Sequence, residues 1–301
     1  MNCEQCDQRA ISTKPSLCKD HFDSFILKTA QETIDQFGLF TKNDRICVAV
    51  SGGKDSLALL DVLTRLGYAV EGLFINEGIT NYREFSLKDL DDFIKRSGIK
   101  VRTVSFEQEA GFGLDTVMKT KQFHACTVCG TLRRYLLNKY AQDYDVIATG
   151  HNMDDEAQTV LMNLARGNSS LFLRTGPKTT ENEASIKRRF VPRVKPFYFV
   201  SEKHLLTYTV IHRIKTDFGE CPYAPDSYRM HLTEILNRYE EEHPGTKKHI
   251  LETYLALREP QQHVISIEKE EFDHLSAGDV EIPSGKAEEL IEEIASVLKN
   301  Q

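Results

Sequence analysis

Four short apolar runs, at residues 46–50, 69–75, 101–106 and 144–149, alternate with stretches whose apolar positions recur at helical spacing, at 54–66, 86–97, 130–142 and 153–165. The first run, Ile46-Cys-Val-Ala-Val50, is almost wholly apolar and largely β-branched, which predicts a strand buried on both faces. Strand and helix in alternation predict an α/β fold, a doubly wound parallel sheet with helices on both faces. Ligands of such a sheet bind beyond the carboxyl ends of its strands. Upstream, Phe22, Phe25, Ile26, Ala30, Ile34 and Phe37 predict a linking helix ended by Gly38. Downstream, Ser201 caps a helix over 201–214, and helices follow at 227–242 and 246–258. An acidic helix, Lys286–Leu298, closes the chain with a stripe of Ala287, Leu290, Ile291, Ile294 and Leu298. That stripe must pack on the same chain, a second subunit or a protein partner. The predicted division is a small module at 1–24, an α/β domain at 25–200 and a helical C-terminal region at 201–301.

Between the first strand and its helix stands Ser51-Gly52-Gly53-Lys54-Asp55-Ser56. Glycines let backbone N–H groups converge on an anion, and the helix start adds unpaired donors and partial positive charge. Lys54 contributes a full charge and Ser51 and Ser56 contribute hydroxyls, so the turn reads as a phosphate cradle. Its spacing is not the Walker pattern. The run 146–149 delivers Gly150, His151 and Asn152 to the same edge of the sheet. Gly150 permits close backbone approach, and the other two offer donors to a nucleotide or an oxyanion. Asp154, Asp155 and Glu156 open the next helix; acids there usually serve the helix dipole, but beside a phosphate cradle they suit Mg²⁺.

Composition is that of an ordinary water-soluble globular protein, 40% hydrophobic and 28% charged. No apolar run reaches the ~18 residues of a membrane span and the N-terminus is no signal peptide, so the expected location is cytoplasmic. Net charge is −7, unevenly spread. Residues 268–301 hold ten acids against three bases, whereas 166–195 hold eight bases against two acids. Phosphate contacts need only a local basic face, so RNA stays open as a partner, with 167–190 read as an RNA-facing flap.

The seven cysteines do not form a secreted disulfide framework. Cys3-x2-Cys6-x11-Cys18-x2-His21 supplies four ligands in two close pairs, which suits a closed, structural tetrahedral Zn²⁺ site. Cys126-x2-Cys129 opens a helix where thiolates are favoured, and Cys221-Pro222 is the other unassigned cysteine. Spacing leaves three readings: a dithiol, a zinc site short of a fourth ligand, or a three-cysteine iron–sulfur cluster with one iron open. Cys47 sits in mid-strand and reads as a small apolar residue.

The Ser51–Ser56 loop resembles the signature of the N-type ATP pyrophosphatases, the PP-loop superfamily. The block Ala148-Thr-Gly-His-Asn-Met-Asp-Asp-Glu-Ala-Gln158 resembles the branch that thiolates tRNA, a resemblance covering about residues 1–260. It implies that ATP is cleaved between its α- and β-phosphates, activating a carbonyl oxygen as an adenylate. The resulting expectation is an ATP-dependent tRNA 2-thiouridine synthase. Similar enzymes bind a [4Fe–4S] cluster on the cysteines matching Cys126, Cys129 and Cys221, with a persulfide or disulfide as the alternative. The resemblance also implies that Asp155 is catalytic and that the N-terminal module binds zinc. It further implies a sulfur source in inorganic sulfide or a ubiquitin-like carrier protein, and a homodimer. Arg133 stands where bacterial thermophile-type members carry Lys; always charged, it does not carry protons, and Arg133 or Arg134 is expected to clamp phosphate or stabilise an adenylate. The resemblance ends near residue 260: related enzymes often finish with a second zinc module, whereas this chain has no cysteine after Cys221 and continues with 264–282 and the acidic helix. A lysidine synthase or an amide-forming synthetase of the same superfamily is the rival expectation.

Overall fold

The computed structural model describes residues 1–179, 190–216, 221–223, 228–258 and 284–299. Five parallel strands form one sheet in the order β3-β2-β1-β4-β5. They are β1 (Ile46–Val50), β2 (Val70–Asn76), β3 (Val101–Ser105), β4 (Val146–Thr149) and the two-residue edge strand β5 (Arg193–Val194). The chain leaves β1 outward through β2 and β3, then returns to β4 on the other side of β1. The resulting switch point puts the ends of β1 and β4 beside a ligand crevice. Prolines at 192 and 196 are tolerated because β5 is an edge.

Side-chain alternation along β1 sets the two faces. Ile46, Val48 and Val50 join one core, while Cys47 joins the other. Against the first face pack α1 (Lys19–Gln36), α2 (Lys54–Arg65), α3 (Arg83–Ser97) and α9 (Glu202–Ile211). Leu57, Leu59, Leu60, Val62 and Leu63 of α2 are all buried, each worth roughly 1.5–3 kcal/mol relative to exposure. Cys3, Leu17 and Cys18 join the same core, so the N-terminal module is packed onto the sheet's helical layer.

The second face carries α4 (Phe106–Ala110), α5 (Leu114–Lys119), α6 (Ala125–Tyr140) and α12 (Ser284–Lys299). Helix α5 falls between the predicted runs, in a stretch given no element from the sequence, because Leu114 and Val117 find burial there. Helix α6 begins at Ala125, so the Cys126-x2-Cys129 pair opens it as expected, five residues ahead of the periodic run at 130–142, and Val128 extends the buried stripe of Leu132 and Leu136 by one turn. Cys126 and Cys129 therefore lie inside its first turns. The acidic C-terminal helix finds its partner within the chain: Ala287 and Ile294 are buried, and Tyr135 of α6 donates a hydrogen bond to Glu288, 3.4 Å. A third core joins α7 (Met153–Ala165) to α10 (Tyr228–Glu242) and α11 (Thr246–Arg258), with α8 (Ser169–Arg174) beside it. No described helix is long and apolar enough to cross a membrane. Residues 180–189, the centre of the expected basic flap, and 264–282 lie outside the described residues.

Candidate active site

The Ser51–Ser56 turn is held by its own hydroxyls. Ser51 N–H donates to Ser56 Oγ (3.2 Å), Gly53 N–H to Ser51 Oγ (3.2 Å), and Ser56 Oγ to the Gly53 carbonyl (2.9 Å). Gly52 has φ +83°, and a Cβ on it would lie 2.8 Å from Cβ of Ser86 in α3. Both conformation and crowding therefore demand glycine. The ammonium of Lys54 bonds Glu202 Oε1 at 2.7 Å and Asp55 Oδ2 at 3.2 Å. Burial works against that charge, but the two carboxylates more than offset it and raise the Lys54 pKa.

Burial, reinforced by the Asp155 and Glu202 carboxylates, pushes Asp55 up to about 7 despite Lys54. Its buried Oδ1 has no hydrogen-bond partner among the described residues. Between its ordinary 3.8 and about 7, the folded chain binds this proton more strongly than the unfolded chain does. Stability contributed by the site accordingly falls as pH rises through that window and levels off above it. Calorimetry of ligand-free Asp55→Asn should show a Tm a few degrees above the parent at pH 8, converging near pH 4; equal Tm values at pH 8 would refute the burdened carboxylate.

The β4–α7 turn abuts this loop. A Cβ at Gly150 would lie 2.8 Å from the Asp55 carbonyl carbon and 2.9 Å from both Asp55 O and Ser56 N. The close approach expected of Gly150 is thus to the backbone that opens α2. Gly150→Ala is expected to weaken ATP binding about tenfold or more in titration calorimetry, since overpacking against backbone costs ~1–3 kcal/mol. His151 Nδ1 shares a 2.8 Å hydrogen bond with Thr149 Oγ1. Asn152 is buried, and its Oδ1 accepts from the N–H groups of Asp154 (2.9 Å) and Asp155 (3.1 Å), while Asp155 Oδ2 accepts from Asn152 N–H at 3.2 Å. This capping box commits the carboxamide oxygen to α7.

The three acids of that turn separate. Asp154 pairs with the buried ammonium of Lys247 and accepts Glu202 N–H at 2.8 Å. Glu156 pairs with Lys195 at 2.8 Å, both side chains almost wholly buried. Those two acids are structural, and Lys195 leaves the basic surface counted from the sequence. Asp155 alone of the three faces Asp55 closely enough to raise its pKa.

At the end of β2, Glu77 is buried and pairs with Arg133 of α6 at 3.3 Å, and Glu77 together with the Cys129 thiol one turn back outweighs burial and raises the Arg133 pKa. Arg133 thereby stands between Glu77 and the Cys129 thiol. Cys126 is exposed; Cys129 and Cys221 are half-buried against the same core, and none of the three is in a disulfide. Tyr223 donates to Asp115 Oδ1 at 2.6 Å, and Asp115 Oδ2 accepts Thr80 N–H at 2.8 Å. Glu77, Asp115 and Glu202 carry no motif, and their involvement emerges only from folding.

In the N-terminal module the ligand atoms of Cys3, Cys6, Cys18 and His21 all lie within 4.8 Å of one another. Cys3 Sγ is 3.3 Å from His21 Nδ1, and Cys6 and Cys18 sulfurs are 3.7 Å apart. Burial opposes the Cys3 thiolate, but hydrogen bonds at Cys18, Gln5 and His21 outweigh it and draw its pKa down to about 6. Four converging soft donors fit a tetrahedral metal ion.

Comparison with known proteins extends this picture. A family profile described as a PP-loop domain matches residues 25–220. A tRNA-5-methyluridine(54) 2-sulfurtransferase of Pyrococcus horikoshii is 36% identical, covering 85% of this chain and 82% of that protein. The cytoplasmic tRNA 2-thiolation protein 1 of Danio rerio is 33% identical over 81% of this chain and 75% of its own length. Among solved structures, the U34-tRNA thiolase NcsA from Methanococcus maripaludis, with its [4Fe-4S] cluster, superposes with a TM-score of 0.76 at 29% identity, covering 93% of this chain and 94% of that one. A glycine cradle at the β1 switch point and two thiols packed on the core of the sheet's second face thus accompany similarity along most of the chain, and the protein belongs to the PP-loop family, among the tRNA 2-thiolation sulfurtransferases.

Proposed function

We propose that this chain is an ATP-dependent tRNA 2-thiouridine synthase. The observation that carries the reading is the pairing, at one edge of the sheet, of the Ser51–Ser56 cradle after β1 with the Glu77–Arg133–Cys129 relay after β2. Lys54, the hydroxyls of Ser51 and Ser56 and the backbone of Gly52 and Gly53 hold the triphosphate. The orphaned Asp55 oxygen beside Asp155 fits a hard cation, so these two would hold Mg²⁺, which neutralises charge on the leaving pyrophosphate. Uridine O2 attacks the α-phosphorus and pyrophosphate leaves, turning a poor leaving oxygen into AMP. Sulfide adds to C2, the C2–O bond breaks and AMP departs, with no net electron transfer.

Cys126, Cys129 and Cys221 would hold a [4Fe–4S] cluster, whose remaining iron supplies a site for that sulfide. Cys3, Cys6, Cys18 and His21 would hold a structural Zn²⁺. The same reading brings inorganic sulfide or a ubiquitin-like thiocarboxylate carrier as sulfur source, a homodimeric assembly and a cytoplasmic location. It takes 1–24 as the zinc module, 25–200 as the ATP domain and 201–301 as the helical region. Arg133 orients Cys129, and His151 offers its free ring nitrogen to the crevice.

Anaerobic incubation of the iron- and sulfide-loaded protein with ATP, Mg²⁺, sulfide and unmodified tRNA tests the proposal. Nucleoside mass spectrometry should find a 2-thiouridine, with its position read from nuclease fragments, alongside equal AMP and pyrophosphate. ADP and phosphate as products, or unthiolated tRNA, would reject it.

A further inference from the structure

The third thiol has no helix to hold it. Cys221 is followed by Pro222, whose ring fixes its own φ, and then by Tyr223. Tyr223 Oη reaches Asp115 Oδ1 at 2.6 Å, while the other oxygen of that carboxylate takes Thr80 N–H at 2.8 Å. The Asp115 carboxylate thus ties the Cys221 segment to the turn after β2. That turn and the start of α5 are in backbone contact: Leu114 N–H donates to the Glu77 carbonyl at 2.8 Å, and a Cβ on Gly78 would lie 2.8 Å from the Gly113 Cα. The side chain of the same Glu77 pairs with Arg133, which stands beside the Cys129 thiol one turn back on α6. Two thiols 92 positions apart (221 − 129) are therefore fixed to one turn by two separate relays.

We propose that Tyr223 and Asp115 are positioning residues that clamp Cys221 into register with Cys129, setting the spacing of the thiol set. The proposal rests on the reading of these thiols as the sulfur-handling centre. Outer-shell hydrogen bonds orient ligands in this way, and their loss commonly costs 10–100-fold in affinity for the bound group. Tyr223→Phe deletes one hydroxyl and keeps the ring packed on its core. Asp115→Asn keeps the shape of the acceptor but weakens both bonds, because charge-assisted bonds are the stronger ones.

Two measurements on the full-length chain test the clamp. In reduced, cluster-free protein, the rate of iodoacetamide labelling at each cysteine is read by mass spectrometry. Cys221 should label about tenfold faster in either variant, with Cys126 unchanged. In protein loaded anaerobically with iron and sulfide, chelator should strip iron about tenfold faster from the variants, with ATP affinity unchanged. Parent-like labelling and chelation rates in both variants would overturn the clamp and leave the proposed function standing. A parent protein that takes up no iron would overturn the cluster reading, while the labelling rates still judge the clamp separately. Loss of ATP binding or of folding in both variants would also overturn it, by making the pair a general support of the fold.

Discussion

Replacing any one of Cys126, Cys129 and Cys221 by alanine is expected to cut tRNA thiolation by about 10³-fold or more while leaving ATP affinity within about twofold, because residues that act as one unit fail together. The split between the two readouts follows from placement. Cys126 and Cys129 lie on α6 and Cys221 on a separate segment, on the second face of the sheet, whereas the Ser51–Ser56 loop opens α2, which packs on the first. The measurement is thiouridine formation by nucleoside mass spectrometry beside a calorimetric ATP titration. A lysidine-type or amide-forming enzyme would be indifferent to all three substitutions. Retained thiolation in each single variant would sink the three-thiol centre, whatever became of ATP.

The second large effect belongs to Lys54. Lys54→Ala should lower kcat/KM for pyrophosphate release by about 10²–10³, the usual scale for removing one preorganised charge from developing negative charge. In the ligand-free protein this ammonium is occupied, at 2.7 Å from Glu202 and 3.2 Å from Asp55. ATP therefore has to replace a carboxylate, and Glu202→Gln is expected to act in the opposite direction. The Glu202 side chain is 49% exposed, which limits the pair to roughly 0.2–1 kcal/mol and the gain in ATP affinity to at most about fivefold. An unaltered rate in Lys54→Ala would remove the loop from the phosphate site, and weaker binding in Glu202→Gln would show Glu202 to be a support of Lys54 rather than its competitor.

Legibility in the sequence followed the range of the interaction. Strands β1, β2, β3 and β4 and helices α2, α7, α10 and α11 fell within a few residues of their expected bounds, since apolar periodicity is a local property. Ser201 caps α9 as expected, accepting from His204 N–H at 3.2 Å. Helices α4 and α5 were missed because five or six residues carry too little periodicity to register. The cysteine pair marked the start of α6, whereas apolar periodicity alone began at 130, because Val128 counts as part of the stripe only once a core lies beneath it.

The acids of the β4–α7 turn show the limit most clearly. Asp154, Asp155 and Glu156 are three neighbouring carboxylates in one helical turn, indistinguishable by local rules. Lys247 and Lys195, 93 and 39 positions away, claim the outer two, and Asp155 is left beside Asp55. Buried charge must be paired, so the choice of partner was made by the packing of α11 and β5 against α7. The acidic C-terminal helix is a parallel case: its stripe required a surface, and the surface turned out to be α6.

The sequence by itself determined the chemistry available to this protein: a glycine turn that accepts phosphate, a four-ligand metal module and three further thiols, all properties of residue type and short spacing. Tertiary structure decided which charged groups remain to use that chemistry, by burying Asp154, Glu156 and Lys195 in ion pairs and tying Arg133 to Glu77 and Cys129. The reason is physical. Desolvation of a charge depends on everything packed around it, and that is known only once segments distant in the chain have met.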